Sequence, residues 1–269
     1  MSEKKERKKM NRKKREEREK GVKIRMRRDL GARAGTGLTM VVIALALCVF
    51  VQSALAAQIS VVPECQIVAP GEYLTVNLTV YPEESEVFAA SYTLYFNNTL
   101  LNATSQVNGS FLSQDGASTH EWWNVIDNIS GKTEYAESRK EVSYGVTEND
   151  TLATITFQAI ADGFCELRLS DLDGVILADP NYTSIPTDVN NGSVRIGICG
   201  DVDNGGGVTT GDAIQIFNNI LHGPEQYPIN NPWAADVDGG GEITTGDAIQ
   251  IFNNILHGPV QYPLNCRCP

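Results

Sequence analysis

The chain is poor in the side chains on which most catalysis depends. Its 269 residues include only three histidines, and two of those sit inside a repeated segment near the C-terminus. It has no H-E-x-x-H helix, no G-x-S-x-G elbow and no glycine loop of the phosphate-cradling kind. These gaps remove the ordinary settings for a zinc protease, a serine hydrolase or a nucleotide-dependent enzyme, and the chain reads as a non-enzyme. A paired-carboxylate glycosidase needs none of those motifs and stays open.

Positive charge is also scarce beyond the first 36 residues. Met1 to Thr36 holds 16 of the 22 Lys and Arg and 6 of the 33 acidic residues, which leaves 6 basic against 27 acidic side chains for everything after it. A body of that sign repels nucleic acid and suits cation binding or a salty exterior. Long apolar runs are limited to one, "GLTMVVIALALCVFVQSALAA", uncharged from Leu38 to Ala57. About 20 such residues can cross a bilayer, and the basic flank (1–36) sets that side inside, so the chain after Ala57 is expected to be exported. The run (37–57) ends in Ala54-Leu55-Ala56, a small-x-small site for a signal peptidase, and Met26-Arg27-Arg28 would make a shorter start. Signal peptide and retained transmembrane anchor therefore both stay open; in either case the expected location is extracellular or at the cell surface.

Export agrees with six cysteines, because disulfides persist in oxidising compartments. Cys48 lies in the apolar run, leaving Cys65, Cys165, Cys199, Cys266 and Cys268. Sequons at Asn77, Asn97, Asn102, Asn108, Asn128, Asn149, Asn181 and Asn191 allow glycosylation without establishing it.

Between Gln58 and Ile196 there is no convincing helical period. Short alternating runs take its place: "QISVV", "YLTVNLTVYP", "VFAASYTLYF", "EVSYGV", "TLATITFQAI", "CELRL", "GVILA" and "GSVRI". Leu74, Val76, Leu78 and Val80 point one way and Thr75, Asn77 and Thr79 the other, with Gly, Pro, Asn and Asp clusters between runs. Eight or nine short strands predict an antiparallel sandwich or jelly roll over 58–197. The stretch "TLYFNNTLLNATS", then "EVSYGVTENDTLATITFQAIADGFCELRLSDLDGVILADP" and "NNGSVRI", resembles a cohesin domain, with "ENDT" in place of the usual glycine before the LATITF strand and Tyr95-Phe96-Asn97 in place of a Tyr-Asp-Pro turn. Trp122-Trp123 has two readings. Exposed, the pair would stack on sugar rings; alternatively at least one ring is core, since adjacent strand residues face opposite sides.

The last part of the chain (198–269) contains a repeat (201–224 and 236–259). "TTGDAIQIFNNILHGP" occurs at Thr209–Pro224 and again, unchanged, at Thr244–Pro259. Each copy comes after a near-copy of one loop, "DVDNGGGVTTGD" (Asp201–Asp212) and "DVDGGGEITTGD" (Asp236–Asp247). Twelve residues with Asp at 1 and 3, Gly at 6, an aliphatic residue at 8 and Asp at 12 are the arrangement of an EF-hand-type calcium loop. Asp201, Asp203 and Asp212 would supply carboxylates, Gly207 a carbonyl and Thr209 a contact through water. Asp236, Asp238, Asp247, Glu242 (carbonyl) and Thr244 would do the same in the second loop. Position 5 is Gly205 or Gly240, so water or backbone must fill that place, and each of the two Ca2+ sites should bind more weakly than a four-carboxylate loop.

In the helix after the loop, Ala213, Ile216, Phe217 and Ile220, joined by Ile214 and Leu221, form the expected core face. Gln215, Asn218, Asn219 and His222 form the opposite stripe, repeated as Gln250, Asn253, Asn254 and His257. Gly223-Pro224 ends it. A doubled calcium loop plus helix without a leading helix resembles a type I-like dockerin, the partner module of cohesins. The resemblance implies that Thr210, Gly211, Phe217, Asn218 and His222, with Thr245, Gly246, Phe252, Asn253 and His257, contact the partner; periodicity prefers the amide stripe and places Phe217 mostly in the core. Cys199 and Cys266 bracket this module, and a bridge between them would stabilise by roughly 4 kcal/mol on the chain-entropy model. Cys65 with Cys165 is the analogous pairing in the sandwich, with Cys268 left over or exchanging roles with Cys266.

Together these features point to an exported, non-catalytic adaptor that assembles cohesin- and dockerin-bearing partners through calcium. The link to polysaccharide degradation comes from the family resemblance alone. The alternative is a carbohydrate-binding surface protein whose sandwich holds glycan.

Overall fold

The structure, a computed structural model, describes residues 56–170 and 174–268. The basic tail, the apolar run as far as residue 55 and Cys48 lie outside the described residues. Among those described, no helix is long and apolar enough to cross a membrane.

Thirteen strands are described: β1 (Ala57–Val62), β2 (Cys65–Val68), β3 (Tyr73–Tyr81), β4 (Ala89–Tyr95), β5 (Leu101–Asn108), β6 (Thr119–Asp127), β7 (Lys132–Arg139), β8 (Asp150–Ala159), β9 (Gly163–Leu169), β10 (Ile176–Ala178), β11 (Ser184–Ile185), β12 (Thr187–Asn190) and β13 (Gly192–Ile196). One sheet runs β12-β1-β3-β8-β5. The other runs β11-β10-β4-β9-β13-β2, with β7 on the far side of β4 and β6 beyond it. Leu74, Val76, Leu78 and Val80 are buried on the inner face of β3, as the alternation requires. They meet Leu94, Tyr135, Leu167 and Val194 from the opposite sheet in one core, each large side chain withdrawn from water contributing roughly 1.5–3 kcal/mol.

The sandwich is not wholly antiparallel. β12 runs parallel to β1, and β13 parallel to β2, because the chain changes sheets between Val62 and Cys65 and its last strands return beside the first two. "EVSYGV" forms no strand, only an isolated bridge from Val146 to Val87. β5 and β7 carry no clear alternation because their residues are largely polar. β7 is an interior strand that buries Thr133, Glu137, Ser138 and Arg139 beside Tyr135. Burial of polar groups favours those with partners, which most of these have, Thr133 Oγ1 and Arg139 Nε being the exceptions. Tyr135 Oη donates to Glu137 (3.0 Å), and Arg139 donates to the Leu112 carbonyl (2.8 Å) and to Asp115 (2.6 Å). That guanidinium holds the Asp115 carboxyl below the usual carboxylate range.

The repeat region has its own small core. Helices α1 (Thr210–His222) and α3 (Thr245–His257) pack on each other, with the short α2 (Pro232–Ala235) between them in sequence. Ala213, Ile216, Ala248, Ile251, Val202 and Val237 are fully buried, and the Phe217 and Phe252 rings lie 6.3 Å apart across the seam.

The cysteine pairing differs in part from expectation. Cys199 is bonded to Cys266, closing a separation of 67 residues, but Cys65 is bonded to Cys268, and Cys165 is free and buried. Register explains this. Cys165 faces Val194 and Val194 faces Gln66, so β9 and β2 lie two strands apart. At about 4.8 Å per strand, that separation exceeds the roughly 7 Å a disulfide can span between Cα atoms. Of the sequons, Asn128 is committed to the fold: its amide accepts from and donates to the Ala103 backbone at 2.8 and 2.9 Å.

Candidate metal loops and docking face

The two loops bring the predicted carboxylates together. Oxygens of Asp201, Asp203 and Asp212 lie within 4.8 Å of one another, and those of Asp236, Asp238 and Asp247 do likewise. Local chemistry dictates the shape. Gly206 and Gly241 take φ of 92°, where a side chain would be strained. Asp212 and Asp247 sit in capping boxes with Thr209 and Thr244. Asp212 accepts from the Val202 N–H (2.7 Å), the Thr209 N–H (2.7 Å) and the Thr209 hydroxyl (2.9 Å). Asp247 accepts from the Thr244 N–H and hydroxyl at 2.8 and 3.0 Å.

The glycines at position 5 give their backbone N–H groups to the loop. The Gly205 N–H donates to Asp203 at 2.7 Å, and the Gly240 N–H to Asp238 at 2.7 Å. A Cβ at either position would fall 2.7 or 2.8 Å from that same carboxylate oxygen. Thr209 and Thr244 serve chiefly as helix caps, each also accepting from Gly211 or Gly246 at 3.1 Å. Among the described residues, nothing donates to the Gly207 or Glu242 carbonyl.

These residues fit a hard divalent cation. No Lys or Arg among the described residues pairs with any of the six aspartates, and Asp236 Oδ1 is buried with no hydrogen-bond partner. Burial, with the charges of Asp212 and Asp203, pushes the Asp201 carboxyl up against the opposing pull of the Gly206 and Gly205 N–H groups. Three crowded carboxylates in each loop, one of them in the second loop with an orphaned oxygen, supply part of the six to eight oxygens that Ca2+ takes, with backbone carbonyl and water left to complete the shell.

The helix surface differs from expectation on both faces. Gln215 donates to the Pro228 carbonyl and Asn219 to the Tyr227 carbonyl, both at 2.7 Å; Gln250 and Asn254 repeat this with Pro263 (2.6 Å) and Tyr262 (2.7 Å). His222 and His257 lie against Tyr227 and Tyr262, with ring centroids 5.5 Å apart in each pair. The amide stripe thus holds the "QYP" that ends each copy. Ile214 and Leu221, expected in the core, are 50% and 72% exposed, and Ile249 and Leu256 are 51% and 71% exposed. A module of two packed helices covers only the seam along Ala213 and Ile216, leaving the neighbouring flank to solvent. On that flank Thr210, Ile214, Asn218 and Leu221 stand at i, i+4, i+8 and i+11, and Thr245, Ile249, Asn253 and Leu256 repeat them.

On the sandwich, Trp122 and Trp123 are both exposed, at 62% and 52%. Strand alternation does not send one ring to the core, because the register with β7 slips between Glu121 and Trp123, a bulge that makes Trp122 the extra residue. Trp122 donates to the Ser138 hydroxyl (3.0 Å) and takes the His120 ring edge-on at 4.5 Å.

Comparison with known proteins gives the same division. Residues 60–196 match the family model of the cohesin domain, and residues 199–256 that of the type I dockerin domain. No protein of curated function matches the chain. Similar solved structures include a non-cellulosomal cohesin from the hyperthermophilic archaeon Archaeoglobus fulgidus, 14% identical over 53% of this chain and 92% of its own, with a TM-score of 0.42. A type II cohesin domain from the cellulosome of Acetivibrio cellulolyticus is 14% identical over 52% of this chain and 95% of its own, with a TM-score of 0.44. A type I cohesin–dockerin complex from Clostridium thermocellum gives 12% identity over 52% of this chain and 93% of its own, with a TM-score of 0.44.

Proposed function

Given that the chain belongs to the cohesin family and carries a type I dockerin domain behind its sandwich, we propose that it is an exported, non-catalytic adaptor. In this reading the sandwich (58–197) receives a partner's dockerin, and the calcium-loaded repeat (198–269) docks on a partner's cohesin. The observation that carries it is the pairing of complementary modules in one chain with an unpartnered, twice-written flank on the helical one. Calcium held by Asp201, Asp203 and Asp212, and by Asp236, Asp238 and Asp247, would supply the charge that lets each loop close. The chain's own groups do the rest: Thr209 and Thr244 cap the helices, and Gln215, Asn219, Gln250 and Asn254 fix the tails.

The docking face we favour is Thr210, Gly211, Ile214, Asn218 and Leu221 with its copy Thr245, Gly246, Ile249, Asn253 and Leu256. Thr210, Gly211 and Asn218 are positions that the family resemblance implies and Ile214 and Leu221 are exposed beside them, whereas Phe217 lies in the seam, His222 lies against Tyr227, and Gln215 and Asn219 are occupied internally. Two such flanks related by the repeat would let a partner dock in either of two orientations. A panel of immobilised cohesin domains tests this: the full chain should be retained by at least one in calcium and released by chelator. Retention that ignores chelator would sink the calcium dependence, and no retention by any of them the docking role.

A second reading rests on the bulge that turns Trp122 and Trp123 outward, a rigid aromatic platform suited to stacking on sugar rings. Glycan-array binding abolished by Trp122→Ala or Trp123→Ala would favour it; an array with no signal would remove it.

A further inference from the structure

The two copies are identical where they form helix and flank, and differ where the chain turns back toward the sandwich. After "QYPIN" the first copy reads Asn231-Pro232-Trp233; after "QYPLN" the second reads Cys266-Arg267-Cys268. The second copy is held covalently, Cys266 to Cys199 and Cys268 to Cys65 on β2. The first is held by polar contacts. The Arg195 guanidinium on β13 lies 4.5 Å over the Trp233 ring and donates to Asn231 Oδ1 at 3.1 Å. Asn231 is buried, and its other amide atom donates to Asn204 Oδ1 at 2.9 Å. Its backbone N–H reaches the Val202 carbonyl at 3.3 Å.

Asn204 is the fourth residue of the first loop, between Asp203 and Gly205, and it takes a left-handed φ of 59°. Asn is among the few non-glycine residues that take this conformation, its short polar side chain held by a hydrogen bond, and here that bond comes from Asn231. In the second loop the fourth position is Gly239, with φ of 67°, which needs no anchor, and the residue matching Asn231 is Cys266, whose sulfur is bonded elsewhere. Resting on the calcium reading, we infer that Asn231 is a positioning residue for the first calcium loop. It is held by Arg195, so that the sandwich strengthens calcium binding at one of the two sites, whose loops also differ at position 7 (Gly207, Glu242) and position 8 (Val208, Ile243). The path Arg195–Asn231–Asn204 has no counterpart at the second loop, where Gly239 instead lies against Arg267 between the two bonded cysteines, so loss of Arg195 should be felt at the first site alone.

The test is a calorimetric calcium titration of the full chain, with the Gly206 and Gly241 amide signals in NMR identifying which loop fills. Arg195→Ala should weaken the first site by about fivefold, the net worth of one hydrogen bond, and leave the second unchanged. Asn204→Gly gives the first loop the fourth residue of the second; in that background Arg195→Ala should have no further effect on either site. Equal weakening of both sites by Arg195→Ala, no weakening, or the same loss in the Asn204→Gly background would each overturn the proposal. A wild-type chain that takes up no calcium overturns the calcium reading itself, and an intact two-site titration with no Arg195 dependence overturns only this coupling.

Discussion

The two copies of "TTGDAIQIFNNILHGP" form a comparison within one molecule, the same residues in two surroundings. Inside each copy the structure repeats closely: the same Thr cap, the same buried Asp, Ala and Ile, the same Gln and Asn bonds to the following Tyr and Pro carbonyls. Outside, the first copy leans on the sandwich through Asn231 and Trp233, and the second is tied by Cys266 and Cys268. Local sequence therefore determines the loop and helix, while the attachment of each copy depends on residues beyond the repeat.

The largest expected effect is on the bond that joins the start of the first copy to the end of the second. Cys266→Ser should cost about 4 kcal/mol on the chain-entropy model, measured as loss of thermal stability of the repeat region, and Asn231→Ala at the matching position should cost far less. Next comes the closing carboxylate. Asp212→Ala or Asp247→Ala removes a buried acceptor of charged hydrogen bonds worth about 3 kcal/mol, so each should abolish one calcium of two in a stoichiometric titration, and the pair should abolish both.

The docking flank sharpens the comparison in the opposite sense, because here the copies should be interchangeable. Leu221→Ala alone, or Leu256→Ala alone, should change affinity for a retained cohesin by no more than about twofold, the statistical loss of one of two orientations. The double substitution should cost about 2 kcal/mol, of the order of a truncated interface anchor. Equal losses from the single and double variants in surface-binding kinetics would contradict two-way docking. The smallest effect is expected at the internal amides: Gln215→Ala or Gln250→Ala should each remove about 1 kcal/mol of stability and leave partner binding nearly intact.

Much of this was legible in the residues. The spacing of Asp, Gly and Asp in twelve places put three carboxylates around one point, since loop position dictates direction, and the alternation in "YLTVNLTVY" assigned the inner face of β3 correctly. β7 was hidden because its burial rests on paired polar groups, and hydrophobic period is silent about Glu137 and Arg139. The double exposure of Trp122 and Trp123 was hidden by a one-residue slip that only the partner strand reveals. Ile214 and Leu221 were misplaced because periodicity names an apolar face without saying how much of it a thin module can cover. The Cys65–Cys268 bond and the Asn231 anchor depend on how two modules meet, which no local pattern encodes.

The central claim is that the repeat is a calcium-closed docking module, and one calorimetric titration of the full chain, with and without chelator, tests it most directly. The account predicts two calcium ions per chain and retention on a cohesin domain that chelator abolishes. Folding and retention that proceed unchanged in chelator, with no calcium bound, would contradict it.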